Sequence, residues 1–145
     1  MTTIDFYTHC SDRLDVVAKL VGKAWAQHGS VRVLTGDDAM TTQLDALLWT
    51  SPPVGFLPHC RLASPLAAET PIVIDHALVH QGPAAVLINL HSSPPPFFSR
   101  FERLVEVIGA GDDDVAAGRE RWRFYTQRGY ALRSHNLAQR GKVDS

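Results

Sequence analysis

The feature that most constrains this chain is a hydrophobic period that changes three times between Thr3 and Thr50. From Thr3 to Thr8 the run TIDFYT alternates and is rich in β-formers, which predicts a strand. From about Arg13 to His28 the apolar residues Leu14, Val17, Leu20, Val21, Ala24 and Trp25 recur at helical spacing. Ser11 or Asp12 is placed to cap that helix and Gly29 to end it. Val31 to Thr35 returns to strand character, and Asp37 and Asp38 open a second helix through Leu44, Leu47, Leu48 and Trp49. Strands and helices alternating over such short connections predict an α/β fold: a single domain with a mostly parallel sheet flanked by helices on both faces.

The remainder extends the pattern. Residues 50–65 (TSPPVGFLPHCRLASP) form an irregular apolar stretch, because Pro52, Pro53, Pro58 and Pro65 forbid regular structure. An apolar loop is either tucked onto the core or presented to a partner. PIVID (71–75), AVLINL (85–90) and LVEVI (104–108) read as three further strands, with a stiff Pro94–Pro96 loop leading to a short helix from Phe97 to about Glu102. Tyr130 to Leu137 reads as a last edge strand. This divides the chain into an α/β domain over 1–137 and a polar, mobile tail over 138–145.

At 145 residues with 45% hydrophobic content, one domain can bury a core without staples. The formal net charge of −1 gives no long-range pull on DNA, so a direct single-strand binder is disfavoured. Charge is nevertheless segregated: from Arg119 onward there are seven Lys or Arg against Glu120 and Asp144. Two cysteines, Cys10 and Cys60, make no disulfide framework; with no leader and no apolar run of transmembrane length, a cytoplasmic protein is expected.

Catalytic and cofactor signatures find little support. Gly109-Ala110-Gly111 stands where a dinucleotide fingerprint would, but the third glycine is missing and Asp112 to Asp114 occupy the helix start that would receive a pyrophosphate. No phosphate loop of the Gly-x-x-x-x-Gly-Lys type exists, nor a Gly-x-Ser-x-Gly elbow. His76 and His80 fall across a strand end and a turn, and in the doublets His9-Cys10 and His59-Cys60 neighbouring side chains point to opposite faces. No metal, no cofactor and no catalytic residue is expected. The alternative is a small α/β enzyme binding a nucleotide or phosphorylated metabolite at the carboxyl ends of the strands.

GAGDDDVAAGRERWRFYTQRGY, from Gly109 to Tyr130, predicts a helix with a marked start and stop. The aspartates offer a side-chain cap and suit the positive end of the helix dipole, Arg128 suits its last turn, and Gly129 suits a left-handed C′ position. Arg119, Trp122 and Arg123 share one face at i, i+3 and i+4. Two guanidinium groups beside an indole suit an acidic ligand with an aromatic end; the plainer reading of the same pattern packs Trp122 in the core.

LDALLW (44–49) with GFLPH (55–59), and RERWRFY (119–125) with Gly129-Tyr130, resemble the chi subunit of bacterial DNA polymerase III holoenzyme. The resemblance runs over nearly the whole chain except its last residues. It implies a non-catalytic adaptor with a single α/β domain, nucleotide-binding-like but without the phosphate loop, and with two faces. One grips the acidic C-terminal tail of single-stranded-DNA-binding protein, which ends in an aromatic residue. By position this site falls on Arg119, Trp122 and Arg123, with Ile108, Gly129 and Tyr130 as walls. The family usually has tyrosine and lysine where this chain has Trp122 and Arg123. The other face holds the psi subunit of the clamp loader, or a helicase-like repair protein, and falls on Trp49 and Phe56 with Leu57 and Pro58 nearby.

Overall fold

The structure, a computed structural model, describes residues 2–50 and 57–140. In chain order the elements are β1 (Thr3–Cys10), α1 (Arg13–His28), β2 (Val31–Leu34), α2 (Asp38–Thr50), β3 (His59–Cys60), β4 (Ile72–Asp75), β5 (Val86–Asn89), β6 (Arg103–Gly109), α3 (Asp112–Gln127), β7 (Leu132–Asn136) and the short α4 (Leu137–Arg140). The seven strands form one sheet in the order β3-β4-β2-β5-β6-β1-β7. Every neighbouring pair is parallel.

Period-2 alternation sorts the strand residues onto two buried faces. Val31, Val33, Ile72, Ile74, Val86, Ile88, Val105 and Val107 turn to one face, where Val17, Ala18 and Val21 of α1 and Leu44 and Leu48 of α2 cover them. Ile4, Phe6, Leu34, Leu87, Leu104 and Ile108 turn to the other, under Tyr125 of α3 and the rings of Phe97, Phe98 and Phe101. Those rings account for the Phe97–Glu102 segment, where the expected short helix is only a 3-10 turn, Phe98–Arg100. The aromatic side chains, rather than a continued helix, close that end of the core.

The helix boundaries follow local chemistry. Asp12 caps α1 by accepting from the Asp15 amide at 3.2 Å, and Gly29 ends it at φ 83°. The expected aspartate cap of α3 does not form: Gly111 holds the N-cap position without a side-chain bond, and Asp112, Asp113 and Asp114 are the first helical residues. Their charge still meets the positive end of the helix dipole. Gly129 takes the left-handed C′ conformation at φ 85°, its amide bonding the Thr126 carbonyl at 3.0 Å. The expected tail from residue 138 begins as part of α4; residues 141–145 lie outside the described residues.

Buried polar groups fix the sheet to its covers. Glu106, in the middle of β6, is fully buried and accepts from Arg121 Nε at 2.8 Å, Tyr125 Oη at 2.6 Å and Asn89 Nδ2 at 3.0 Å. Complete burial pushes its carboxyl toward the protonated form, while the charge of Arg121 and the hydrogen bonds of Tyr125, Asn89 and Arg121 act against that. Arg121 also donates to the Ser92 carbonyl at 2.9 Å, so β5, β6, α3 and the loop after β5 are tied at one point. Arg32 plays a similar part on the face of β2 turned away from α1 and α2. Its buried guanidinium, pushed down to about 10 by burial against the opposing charge of Asp75, donates to the carbonyls of Ala77 at 2.8 Å and Val79 at 2.6 Å.

Candidate functional site

The direction of the chain reverses between β1 and β6. From β1 the chain crosses leftward past β6 and β5 to β2, whereas from β6 it steps over β1 to β7, with α1 and α3 on opposite faces. Ligands of open α/β sheets bind at such a reversal, outside the carboxyl ends of the strands. Here that crevice is occupied by the protein's own side chains. Asp114 at the start of α3 pairs with Arg13 at the start of α1 at 3.2 Å. A Cβ on Gly109 would lie 2.4 Å from Asp114 Oδ2, so the glycine makes room for a carboxylate. Among the described residues no three His, Cys, Asp or Glu side chains gather as a metal site, and no helix is long and apolar enough to cross a membrane.

The outer surface of α3 is organised differently. Gly118, Arg121 and Tyr125 face inward, which leaves Arg119, Glu120, Trp122 and Arg123 outward. Trp122 is 37% exposed; the edge of its ring system packs on Phe6 of β1, with centroids 5.0 Å apart and planes at 68°. It is therefore neither a core residue nor a loose one. Arg123 pairs with Glu120 at 2.9 Å on the open surface, whereas no ion pair among the described residues engages Arg119. The sequence-predicted trio thus shares one exposed strip, with an indole set between a free guanidinium and a paired one.

The expected walls are distributed otherwise. Ile108 is only 4% exposed, because α3 passes directly over it: a Cβ on Gly118 would lie 2.8 Å from Ile108 Cδ1. It supports the helix from below and is not a wall open to a ligand. Gly129 is exposed just beyond the helix end. Tyr130 is half-buried and packs on Phe98 at 5.3 Å, whereas Trp122 packs on Phe6. Phe6 itself lies between Glu106 of β6 and Ser134 of β7, the residues it pairs with.

On the opposite face and at the other end of the sheet, Trp49 closes α2 with 56% of its surface exposed. Its ring lies 4.6 Å from that of His59 in β3. Pro58 is half-buried beside them, but Leu57 is 2% exposed and belongs to the core under α1 and α2, which corrects its placement on this surface. Leu57 is the part of the proline-broken stretch that is tucked inward. Phe56 lies outside the described residues.

Sequence reasoning missed the buried group beneath α3. Glu106 is a lone acid in an apolar strand and Arg121 lies between Arg119 and Arg123, so the signal present was a buried carboxylate in need of a cation.

The sequence matches known proteins over most of its length. The family model described as DNA polymerase III chi subunit, HolC, matches residues 1–133. A DNA polymerase III subunit chi of Pseudomonas aeruginosa is 33% identical over 141 residues, 94% of this chain and 98% of the relative. Those of Haemophilus influenzae and Escherichia coli are 23% and 24% identical, over 85% and 81% of this chain and 86% and 80% of theirs. The chain belongs to the chi-subunit family of DNA polymerase III.

Proposed function

We propose that this family member is a cytoplasmic, non-catalytic adaptor that ties single-stranded-DNA-binding protein to the polymerase assembly. The acidic C-terminal tail of that protein docks on the outer strip of α3. Arg119 meets a carboxylate of the tail, Trp122 offers its exposed ring surface to the terminal aromatic residue, and Arg123 exchanges Glu120 for the tail's charge. The observation that carries this reading is the contrast between Arg121, sunk onto Glu106, and Arg119, which is exposed and unengaged one half-turn away. A helix that anchors one arginine in the core can hold its neighbours in fixed positions at the surface.

Trp49, with Phe56 and Pro58 near it in sequence, serves the second partner, which is the psi subunit or a helicase-like repair protein. Trp49 packs on β3 and Trp122 on β1, five strand positions apart, or roughly 24 Å at the usual strand spacing, and on opposite faces. That separation supports simultaneous engagement of both partners.

The test is titration of a labelled acidic peptide ending in Pro-Phe against the wild-type chain and Arg119→Ala. Saturable binding that weakens with the substitution and with added salt supports the adaptor. Absence of binding to folded protein rejects it. Thermal stabilisation by nucleotides instead would favour the small-molecule alternative, despite the filled crevice between β1 and β6.

A further inference from the structure

We infer that Asp45 and His59 are positioning residues for Trp49, and that the indole they hold is a docking platform for a partner segment carrying an apolar anchor beside a cation. The inference rests on the second face proposed above and specifies its chemistry.

A tryptophan more than half in water gains little from burial, and its side-chain freedom opposes any single orientation. Trp49 is nevertheless seated on a rigid object. The His59 side chain beneath it is completely buried, with Nδ1 2.5 Å from the Leu57 carbonyl oxygen. Its other nitrogen, Nε2, is buried without a well-directed hydrogen bond, and the nearest acceptor is Asp45 Oδ1 at 3.2 Å. Asp45 and Trp49 are four residues apart on α2 and so share a face of the helix. With Nδ1 facing the Leu57 carbonyl, a ring carrying both protons sets its Nε2–H against the Asp45 carboxylate, while the indole lies over the imidazole at a tilt of 52°. An orientation fixed before binding reduces the ordering cost at binding.

The surroundings define the partner. The exposed residues of α2 beyond its first turn, Thr42, Gln43, Ala46, Trp49 and Thr50, include no cation. The charged groups on this helix are acidic: Asp38, which pairs with Arg61, and the half-exposed Asp45, which uses one oxygen toward His59. An exposed indole beside a small alanine accepts an apolar side chain, and the second oxygen of Asp45 is left for a lysine or arginine of the same segment. This is the reverse of the charge setting around Trp122.

Two measurements on the full chain test the inference: the order parameter of the Trp49 indole N–H by nitrogen-15 relaxation, and the affinity for co-expressed psi subunit. In the wild type the indole should be about as ordered as rigid backbone, roughly 0.85. Asp45→Ala should drop it below about 0.6 at an unchanged unfolding midpoint and weaken psi capture about tenfold. Asp45→Asn keeps an acceptor for His59, so the order should return while capture stays a few-fold weak. His59→Gln should loosen the indole as Asp45→Ala does, and tail-peptide binding should be unchanged throughout. If Trp49→Ala leaves psi capture intact, or the wild type captures neither psi nor the helicase-like protein tested beside it, the second-face reading fails and the inference with it. If Trp49→Ala abolishes capture but Asp45→Ala leaves the indole ordered and capture unchanged, the inference alone is overturned.

Discussion

Trp122 and Trp49 are the same residue in opposite settings. Each ends up exposed on one outer helix, each rests on a ring from the strand beneath, and each is flanked by charge. Beneath Trp122 is Phe6, part of the apolar core, and around it are Arg119 and Arg123. Beneath Trp49 is the imidazole of His59, and beside it is Asp45. An exposed aromatic alone does not name a ligand; in the proposed reading it is the sign of the neighbouring charge and the group beneath the ring that do. The supports differ too: the α3 strip rests on a buried ionic group, whereas the α2 surface rests on a buried imidazole with a carboxylate beside it.

Removing the support of α3 should give the largest effect. Glu106→Ala leaves Arg121 buried without its carboxylate and Tyr125 without its acceptor, and should destabilise the fold by about 3–5 kcal/mol in denaturant titrations. Residual tail binding with normal affinity in that variant would separate the surface strip from its foundation. Next, Gly118→Ala forces a methyl group against Ile108, with an expected cost of about 1–3 kcal/mol and a shift of α3 away from β6. Asp45→Ala should leave global stability nearly untouched, since Asp45 is partly exposed, which makes the two supports distinguishable by unfolding alone.

Within the α3 strip, Arg119→Ala should weaken the tail peptide by about tenfold or more, the usual loss for a hydrogen bond to a charged group. Arg123→Ala should cost only a few-fold, because Arg123 must first leave Glu120. Equal losses would mean that the Glu120 contact is irrelevant in solution.

The smallest expected effect concerns β7, the edge strand paired with β1. Buried Asp5 of β1 holds it through Arg133 at 2.9 Å and His135 at 3.0 Å, with Arg103 at 3.2 Å on the other side. Burial alone would raise the Asp5 carboxyl, but the hydrogen bonds of His135 and Arg133 and the charges of Arg133 and Arg103 hold it below the usual range. A folded-state value below the unfolded one, about 3.9, stabilises the fold above that pH and loses the contribution as pH falls through the folded value. Unfolding free energies of wild type and Asp5→Asn, measured from pH 7 to pH 2, should differ most at neutral pH and converge in acid.

Much of this was legible from the residues. The periods of Arg13–His28 and Asp38–Thr50 delimited α1 and α2 with Gly29 as a stop, and Arg119, Trp122 and Arg123 share the outer face of α3 as their spacing implied. Strand order was not legible, because a parallel pairing such as β1 with β6 joins residues about a hundred apart with no turn to announce it. The two-residue β3 is too short to show a period. Ile108 and Leu57 were misplaced for one reason: an apolar residue next to a binding motif looks the same in sequence whether it faces a ligand or the core.

The most direct test of two separate faces is an amide and indole NMR titration of the full chain with the acidic tail peptide. The chain has three indole signals, from Trp25, Trp49 and Trp122. The two-face arrangement predicts that Trp122 and the outer residues of α3 shift on binding while Trp49 and the residues of α2 stay in place. A shift of the Trp49 indole comparable to that of Trp122, or a response confined to α2, would contradict it.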